Sequence, residues 1–269
     1  MGEVFLTTLS TNDYLPGVLV LNKTISEHCI HKLVVLVSDD LDRKTYEALD
    51  RFHISYIKQE NKMSSDVVGK SNGGGSYYSY WINTLFKLKI FDLIQFDKVV
   101  YIDSDMMVQM PIDELFYKED MSAVIAGKSY PGNEKFKDMN SGVLVFRPRK
   151  EVLKELIAMI PQVAGKKKYF GDQDILGEYF TDWKDRYALH LPEEYNVFWR
   201  YYDFYQKRSS VKVVHFIGKV KPWMMSGIQV AGEYFKCVCK GKFRAISVMR
   251  KYRCYLKELW QVLEEVAVG

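Results

Sequence analysis

Two carboxylates one residue apart stand directly behind a β-branched run: Val99-Val100-Tyr101-Ile102 leads into Asp103-Ser104-Asp105. In open α/β sheets ligands bind beyond the carboxyl ends of strands, so a loop in that position can carry chemistry. Asp103 and Asp105 could both reach one hard divalent cation, and the small Ser104 leaves room for a ligand. An acidic turn at a strand end is the plain alternative, and the tripeptide alone does not separate the two. A second group lies far along the chain, in His215-Phe216-Ile217-Gly218-Lys219-Val220-Lys221-Pro222-Trp223. A neutral imidazole ligates metals, Gly218 lets backbone approach a phosphate, and a lysine supplies a compact positive charge. A lone histidine is more often half-buried structure. Here the parts are complementary: two carboxylates, an imidazole, a glycine and a lysine together suit a metal-bound diphosphate. Two further polar groups are Gly171-Asp172-Gln173-Asp174, at the mouth of a helix running to Phe180, and Asn140-Ser141-Gly142, opening a strand. Asp172 could simply cap its helix, and the Asn-Ser-Gly tripeptide alone reads as a turn.

The elements that must position these groups are legible in outline. The chain has 269 residues, 48% hydrophobic and 27% charged, which is a globular composition and enough for one large domain or a domain with an appendage. No apolar run approaches the length of a membrane span. Val4 to Leu6 reads as a strand, and a helix follows over Val18 to Ile25. Leu33 to Val37 is a buried strand, Arg43 to Arg51 a helix, Ile54 to Ile57 a strand and Val99 to Ile102 another. Trp81, Leu85, Leu88 and Phe91 recur at helical steps. Strands alternating with helices predict a parallel sheet covered on both faces, a nucleotide-binding architecture. Beyond it, Ser122 to Gly127, Gly142 to Phe146 and Val211 to Phe216 read as strands and Glu151 to Ile160 as a helix. Asn72-Gly73-Gly74-Gly75-Ser76 is a loop, and there is no internal repeat.

Net charge is +4, and the surplus lies mostly in a tail beyond Trp223. From Lys236 to Lys257 the chain carries Lys240, Lys242, Arg244, Arg250, Lys251 and Arg253 and no acid. Met249, Tyr252, Leu256, Leu259 and Leu263 mark an amphipathic helix within it. The organisation expected is a catalytic domain over 1–223 and a basic tail over 224–269.

In order along the chain, Thr8-Leu9-Ser10-Thr11-Asn12-Asp13, Thr84-Leu85-Phe86-Lys87-Leu88, Asp103-Ser104-Asp105, Asn140-Ser141-Gly142-Val143, Gly171-Asp172-Gln173 and His215 to Trp223 resemble the family 8 retaining glycosyltransferases. That is the group containing glycogenin, galactinol synthase and bacterial lipopolysaccharide galactosyltransferases. The pieces span residues 4 to 223, and His-Phe-x-Gly-x-x-Lys-Pro-Trp is the most specific of them. The resemblance implies a Rossmann-like α/β fold of the GT-A type and transfer of a hexose from a UDP-sugar to a hydroxyl acceptor such as a glycan or glycolipid. It implies Mn2+, with Mg2+ as a substitute, held by Asp103, Asp105 and His215. Leu9, Thr11, Asn12 and Tyr14 would shape the uridine pocket, Ser104 would approach the ribose, and Lys87 would reach the donor. Asn140, Ser141, Asp172 and Gln173 would contact the sugar, and Gly218 and Lys221 the diphosphate. Asp172, Gln173 and Lys87 are then the catalytic candidates. Tyr169 and Tyr78 stand where glycogenin carries an acid and an arginine, so the donor sugar and acceptor do not carry over from it.

The chemistry also follows from the residues. Negative charge develops on the leaving phosphate, where a cation and Lys221 would stabilise it. Double displacement needs a carboxylate beneath the anomeric carbon; Gln173 is a poor nucleophile, so same-face transfer is expected. Several other readings compete. Apolar residues before Asp-x-Asp also open haloacid-dehalogenase-type phosphatases, but Met107 stands where those want Thr or Val. Gly69-Lys70-Ser71 and Gly127-Lys128-Ser129 miss a P-loop, with Ser64 and Ser122 in place of its first glycine. Cys29, Cys237, Cys239 and Cys254 have no zinc spacing. Tyr195, Tyr201, Tyr202 and Tyr205 raise glycogenin-like self-glucosylation, though Asp203 occupies the acceptor tyrosine's place. The N-terminus, Met1-Gly2-Glu3-Val4-Phe5-Leu6, has no signal-peptide pattern. A cytoplasmic protein is expected, its basic tail either packed on the domain or lying on an anionic membrane surface. No nucleic-acid motif accompanies the tail.

Overall fold

The computed structural model describes residues 2–61, 84–167 and 169–264. Gly69-Lys70-Ser71, the loop at Asn72–Ser76, Tyr78 and Trp81 lie outside the described residues. A seven-stranded sheet forms the centre, built from β1 (Glu3–Leu9), β2 (Leu33–Ser38), β3 (Ser55–Gln59), β4 (Lys98–Ile102), β6 (Ser122–Val124), β7 (Asn140–Phe146) and β8 (His190–Leu191), in the order β3-β2-β1-β4-β7-β6-β8. The β3-β2-β1-β4 half is parallel. β7 runs antiparallel to both β4 and β6, while β6 pairs parallel with β8, so the sheet is mostly parallel, as expected, with β7 the reversed strand. A smaller sheet joins β5 (Met106–Val108), β9 (Val197–Phe198) and β10 (Val213–His215), with β10 between the other two.

Strand alternation divides the core into two layers, one on each face of the large sheet. Phe5, Leu9, Val100 and Ile102 enter one layer; Leu6, Val99 and Tyr101 enter the other. Period-two placement with apolar residues on both sides is the mark of a sheet covered on both faces. α1 (Leu15–His28) packs over one face, starting earlier than its apolar pattern suggests because Pro16 supplies a preset first turn. α2 (Arg43–Arg51), α3 (Lys150–Lys166) and α4 (Asp172–Tyr179) fall on segments read as helical, and the short α5 (Tyr202–Gln206) was not read from the sequence.

Three expectations are corrected. The segment read as an α-helix through Leu85, Leu88 and Phe91 is a 3-10 helix over Phe86–Asp92. Phe86, Lys87, Leu88, Ile90 and Phe91 are buried and Lys89 and Asp92, three residues apart, are partly exposed, which is the three-residue period of a 3-10 helix. The strand read from Ser122 to Gly127 ends at Val124, where the register with β7 shifts, and the late strand is only Val213–His215. The tail is two helices, α6 (Gly227–Cys239) and α7 (Phe243–Glu264). Met249, Tyr252, Leu256 and Leu259 of α7 are buried in the same layer as β1 and α1. Of the two readings of this face, packing on the domain is the one observed, and α7 belongs to the core. Among the described residues no helix is long and apolar enough to cross a membrane.

α1 approaches the carboxyl end of β4 closely. A Cβ built on Gly17 would lie 2.4 Å from the Ser104 carbonyl oxygen and 2.7 Å from the Trp223 ring. Only glycine fits there. Gly17→Ala should destabilise the protein by about 1 to 3 kcal/mol through overpacking, read as a lower urea midpoint with unchanged m-value.

Candidate active site

A cavity of about 450 Å³ opens where the strand order reverses between β1 and β4, at the carboxyl ends of both. Thr11 and Tyr14 after β1, Lys87 of the 3-10 helix before β4, Asp103, Ser104 and Asp105 after β4, and Ser141, Asp172 and Lys221 line it. Residues up to 210 positions apart meet around it, since Trp223 Nε1 donates to the Asp13 carbonyl at 2.7 Å. That bond pins the 216–223 segment across the loop after β1.

Asp105 and His215 face each other because β10 pairs antiparallel with β5, with His215 opposite Met106. His215 Nε2 lies 3.2 Å from Asp105 Oδ1 and 4.0 Å from Asp103 Oδ2. The three ligand atoms lie within 4.8 Å of one another. Oxygens and nitrogens held about 2.1 Å from a shared cation stand roughly 3 to 4.2 Å apart; both His215 separations fall in that window, so the trio could close on a cation with a small side-chain adjustment. Two carboxylates with one imidazole suit Mn2+ and, less well, Mg2+. Lys221 Nζ donates to Asp105 Oδ2, leaving Oδ1 toward His215. Burial by itself would raise the Asp105 pKa, but its contacts with His215 and the ammonium of Lys221 outweigh it and hold the carboxyl well below the usual range.

Lys87 is the hub of the other side. Its Nζ donates to Asp103 Oδ1 at 2.9 Å and to the Ser141 carbonyl at 2.6 Å, and lies 3.0 Å from Asp172 Oδ2. Burial would lower its pKa, yet Asp103 and Asp172 together hold it above the ordinary value. The Tyr101 hydroxyl donates to the same Asp103 Oδ1 at 2.8 Å. Burial first and the Asp103 charge second push that hydroxyl's pKa well up, so Tyr101 stays a donor. Asp103 Oδ1 is thus saturated from behind and Oδ2 is directed at His215. Asp172 is not a cap: Gly171 holds that position, and Asp174 accepts from the Gly171 N–H at 2.9 Å. Its carboxylate is turned to Lys87 instead.

Other expected site residues are placed differently. Leu9 is fully buried in the core, so its side chain does not reach the cavity. Asn12 Oδ1 accepts from the Asp42 N–H at 2.9 Å and from the Thr45 hydroxyl at 2.7 Å, tying the loop after β1 to the start of α2. Asn140 and Gln173 sit beside the cavity and are joined, Asn140 Nδ2 donating to Gln173 Oε1 at 3.2 Å. Gly218 adopts φ +118°, a conformation that favours glycine. Tyr101 and Asn196 were given no role by the sequence, and Gly142 was read only as part of its motif. Tyr101 was hidden as one more apolar strand residue. A Cβ on Gly142 would meet Asp103 Oδ2 at 3.0 Å and the Met106 side chain at 2.5 Å.

The family model described as glycosyl transferase family 8 matches residues 6–227. The chain belongs to that family. Relatives of this family 8 chain include human glycogenin-1, 32% identical over 83% of the chain and 63% of the relative. Glycogenin-1 of Caenorhabditis elegans is 29% identical over 88% of the chain and 54% of its own length. Galactinol synthase 1 of Solanum lycopersicum is 27% identical over 83% and 74%. The chain thus spans between about half and two thirds of the length of the glycogenin-1 relatives it matches. The fold is that of GT-A-type glycosyltransferases. The galactosyltransferase LgtC, solved in complex with donor and acceptor sugar analogs, superposes with a TM-score of 0.61 at 18% identity, over 88% of this chain and 94% of that one. The glycosyltransferase GlyE of Streptococcus pneumoniae TIGR4 superposes with a TM-score of 0.60 at 18% identity, over 95% and 63%.

Proposed function

We propose that this family 8 chain transfers a hexose, glucose or galactose, from a UDP-sugar to the hydroxyl of a separate glycan or glycolipid acceptor, with retention of configuration. The observation that carries this reading is the convergence of Asp103, Asp105 and His215 beside Lys221 at the switch point of the sheet. Asp103, Asp105 and His215 would hold Mn2+, which supplies Lewis-acid stabilisation of the diphosphate when bound. Lys221, buried and adjacent, places a positive charge where the leaving phosphate becomes more negative, and this lowers the barrier because the charge grows in the transition state. Thr11 and Tyr14 line the nucleotide end of the cavity, and Ser104 lies between the two acids. Lys87 orients Asp103 and Asp172 together. With Lys87 3.0 Å from its carboxylate, Asp172 is a poor nucleophile, which favours same-face transfer over a glycosyl-enzyme intermediate.

The tyrosines that would suggest self-glucosylation are otherwise engaged. The Tyr195 hydroxyl donates to Glu114 at 2.8 Å, the Tyr205 hydroxyl to Glu193, and Tyr201 stacks on Tyr130 with ring centroids 3.6 Å apart. Asp203 accepts from the backbone N–H groups of Arg244 and Ala245 and so caps α7. A separate acceptor is therefore the reading preferred. UDP at a hundred times its dissociation constant should stabilise the protein by about 2.7 kcal/mol, several degrees in Tm, only when Mn2+ is present. Equal stabilisation by UDP in EDTA, or none with Mn2+, would overturn the metal-diphosphate reading. The intact mass should stay unchanged after incubation with UDP-glucose and Mn2+.

A further inference from the structure

Asn196 is fully buried, carries no assigned role, and touches the metal-ligand set on one side and the sugar-side residues on the other. It directly precedes β9, whose Phe198 pairs with His215 of β10. Its amide makes two side-chain bonds. Oδ1 lies 2.9 Å from His215 Nδ1, and Nδ2 donates to Asn140 Oδ1 at 2.7 Å. Asn140 Oδ1 also accepts from the Gly142 N–H at 3.0 Å, and Asn140 Nδ2 donates to Gln173 Oε1 at 3.2 Å.

The direction of this chain of bonds is set at one point. A backbone N–H can only donate, so the Asn140 atom facing Gly142 must be the oxygen. The Asn196 atom facing that oxygen must then be the amide nitrogen, and its own oxygen is left for His215. An acceptor at Nδ1 requires the proton of the neutral imidazole to sit there, so the lone pair is on Nε2, the nitrogen facing Asp103 and Asp105. We infer that Asn196 is a positioning residue that fixes the His215 ring and tautomer for cation binding, and that it links this ligand through Asn140 to Gln173 at the sugar side of the cavity. The inference rests on the metal-diphosphate reading above and adds a coupling between its two halves.

Two substitutions separate the roles. Asn196→Asp keeps an acceptor for His215 Nδ1 but faces Asn140 Oδ1 with a second acceptor. Asn196→Leu removes both bonds. Mn2+ binding, read without nucleotide from the loss of the free-ion EPR signal, should weaken about 10- to 100-fold in Asn196→Leu and stay close to wild type in Asn196→Asp. The KM for whichever of UDP-glucose and UDP-galactose is turned over should nevertheless rise about tenfold in Asn196→Asp at saturating Mn2+, the effect of one lost hydrogen bond. A merely structural asparagine would not give this split. Wild-type Mn2+ affinity in Asn196→Leu, Mn2+ binding in Asn196→Asp as weak as in a folded Asn196→Leu, or an unchanged donor KM in Asn196→Asp would overturn the relay. Circular dichroism verifies folding. Should the leucine variant unfold, Asn196→Asp decides alone, since weakened ion binding or an unchanged KM in it counts against the proposal. A wild type that binds no Mn2+ at all would instead remove the metal reading itself, and the relay with it.

Discussion

Asp105→Asn should reduce glycosyl transfer by at least about a thousandfold while the protein stays folded, the scale expected when a charge-stabilising group is lost from a preorganised site. The carboxylate is only 6% exposed and is shared by His215 on one oxygen and Lys221 on the other. An amide of the same shape keeps the packing but cannot supply an anionic ligand, and it turns a donor toward either His215 or the Lys221 ammonium. Near-normal turnover in Asp105→Asn would mean that the cation, if one is used, sits elsewhere. The same variant has a pH signature. The Asp105 pKa is held down in the folded state, so its ionised form contributes stability that is fully present above the unfolded value, about 3.9. That contribution is lost as pH falls below about 4 toward the folded value. The stability lost between pH 5 and pH 3 should therefore be smaller in Asp105→Asn than in wild type, and an equal loss would contradict the assigned shift.

Lys87→Met is expected to do damage of two kinds. Nζ lies among Asp103, Asp172 and the Ser141 carbonyl at 2.6 to 3.0 Å, and the side chain is almost wholly buried. Methionine has nearly the same length and fills the space, so packing is preserved and the lost charge is what is measured. Two carboxylates then share a buried region without their cation. Removing one partner from a buried ion pair costs about 3 to 5 kcal/mol, which urea unfolding at pH 7 would read directly. Activity should fall about a hundredfold or more, because Asp103 Oδ1 loses one of its two anchors and Asp172 loses the cation that holds it in place. Lys87→Arg should not restore it, since a planar guanidinium cannot occupy the point where three oxygens converge. A stability loss below about 1 kcal/mol in Lys87→Met would show that the cluster is more solvated than its burial implies.

Local order in the chain is what made much of the fold readable. Leu33 to Val37 and Val99 to Ile102 are apolar on every position because both faces of β2 and β4 are covered, and Arg43 to Arg51 is amphipathic because α2 lies on the surface. The acids after β4, the glycine and lysine after β10 and the histidine that ends it are each contiguous with a strand end, so their place at the sheet's carboxyl edge followed from sequence. Around Lys87 the segment is short and mostly buried, so steps of three and four among its apolar residues did not distinguish a 3-10 helix from an α-helix. The apolar stripe of α7 was open to two readings, packing on the domain or lying on a bilayer, and it proved to be core, since periodicity reports that a face is buried and not what buries it.

By itself the sequence determined the residue types of the site, the parallel half of the sheet and the family, because strand ends, helix periods and ordered motifs are properties of neighbouring residues. Only the tertiary structure decided that Lys87 joins Asp103 to Asp172, that Tyr101 turns one carboxylate oxygen toward His215, and that Asn196 stands between His215 and Asn140. These bonds cross up to 85 residues of chain. They exist because β7 lies beside β4 and β10 lies between β5 and β9, and strand order is fixed by the packing of the whole core, which no local stretch of sequence encodes.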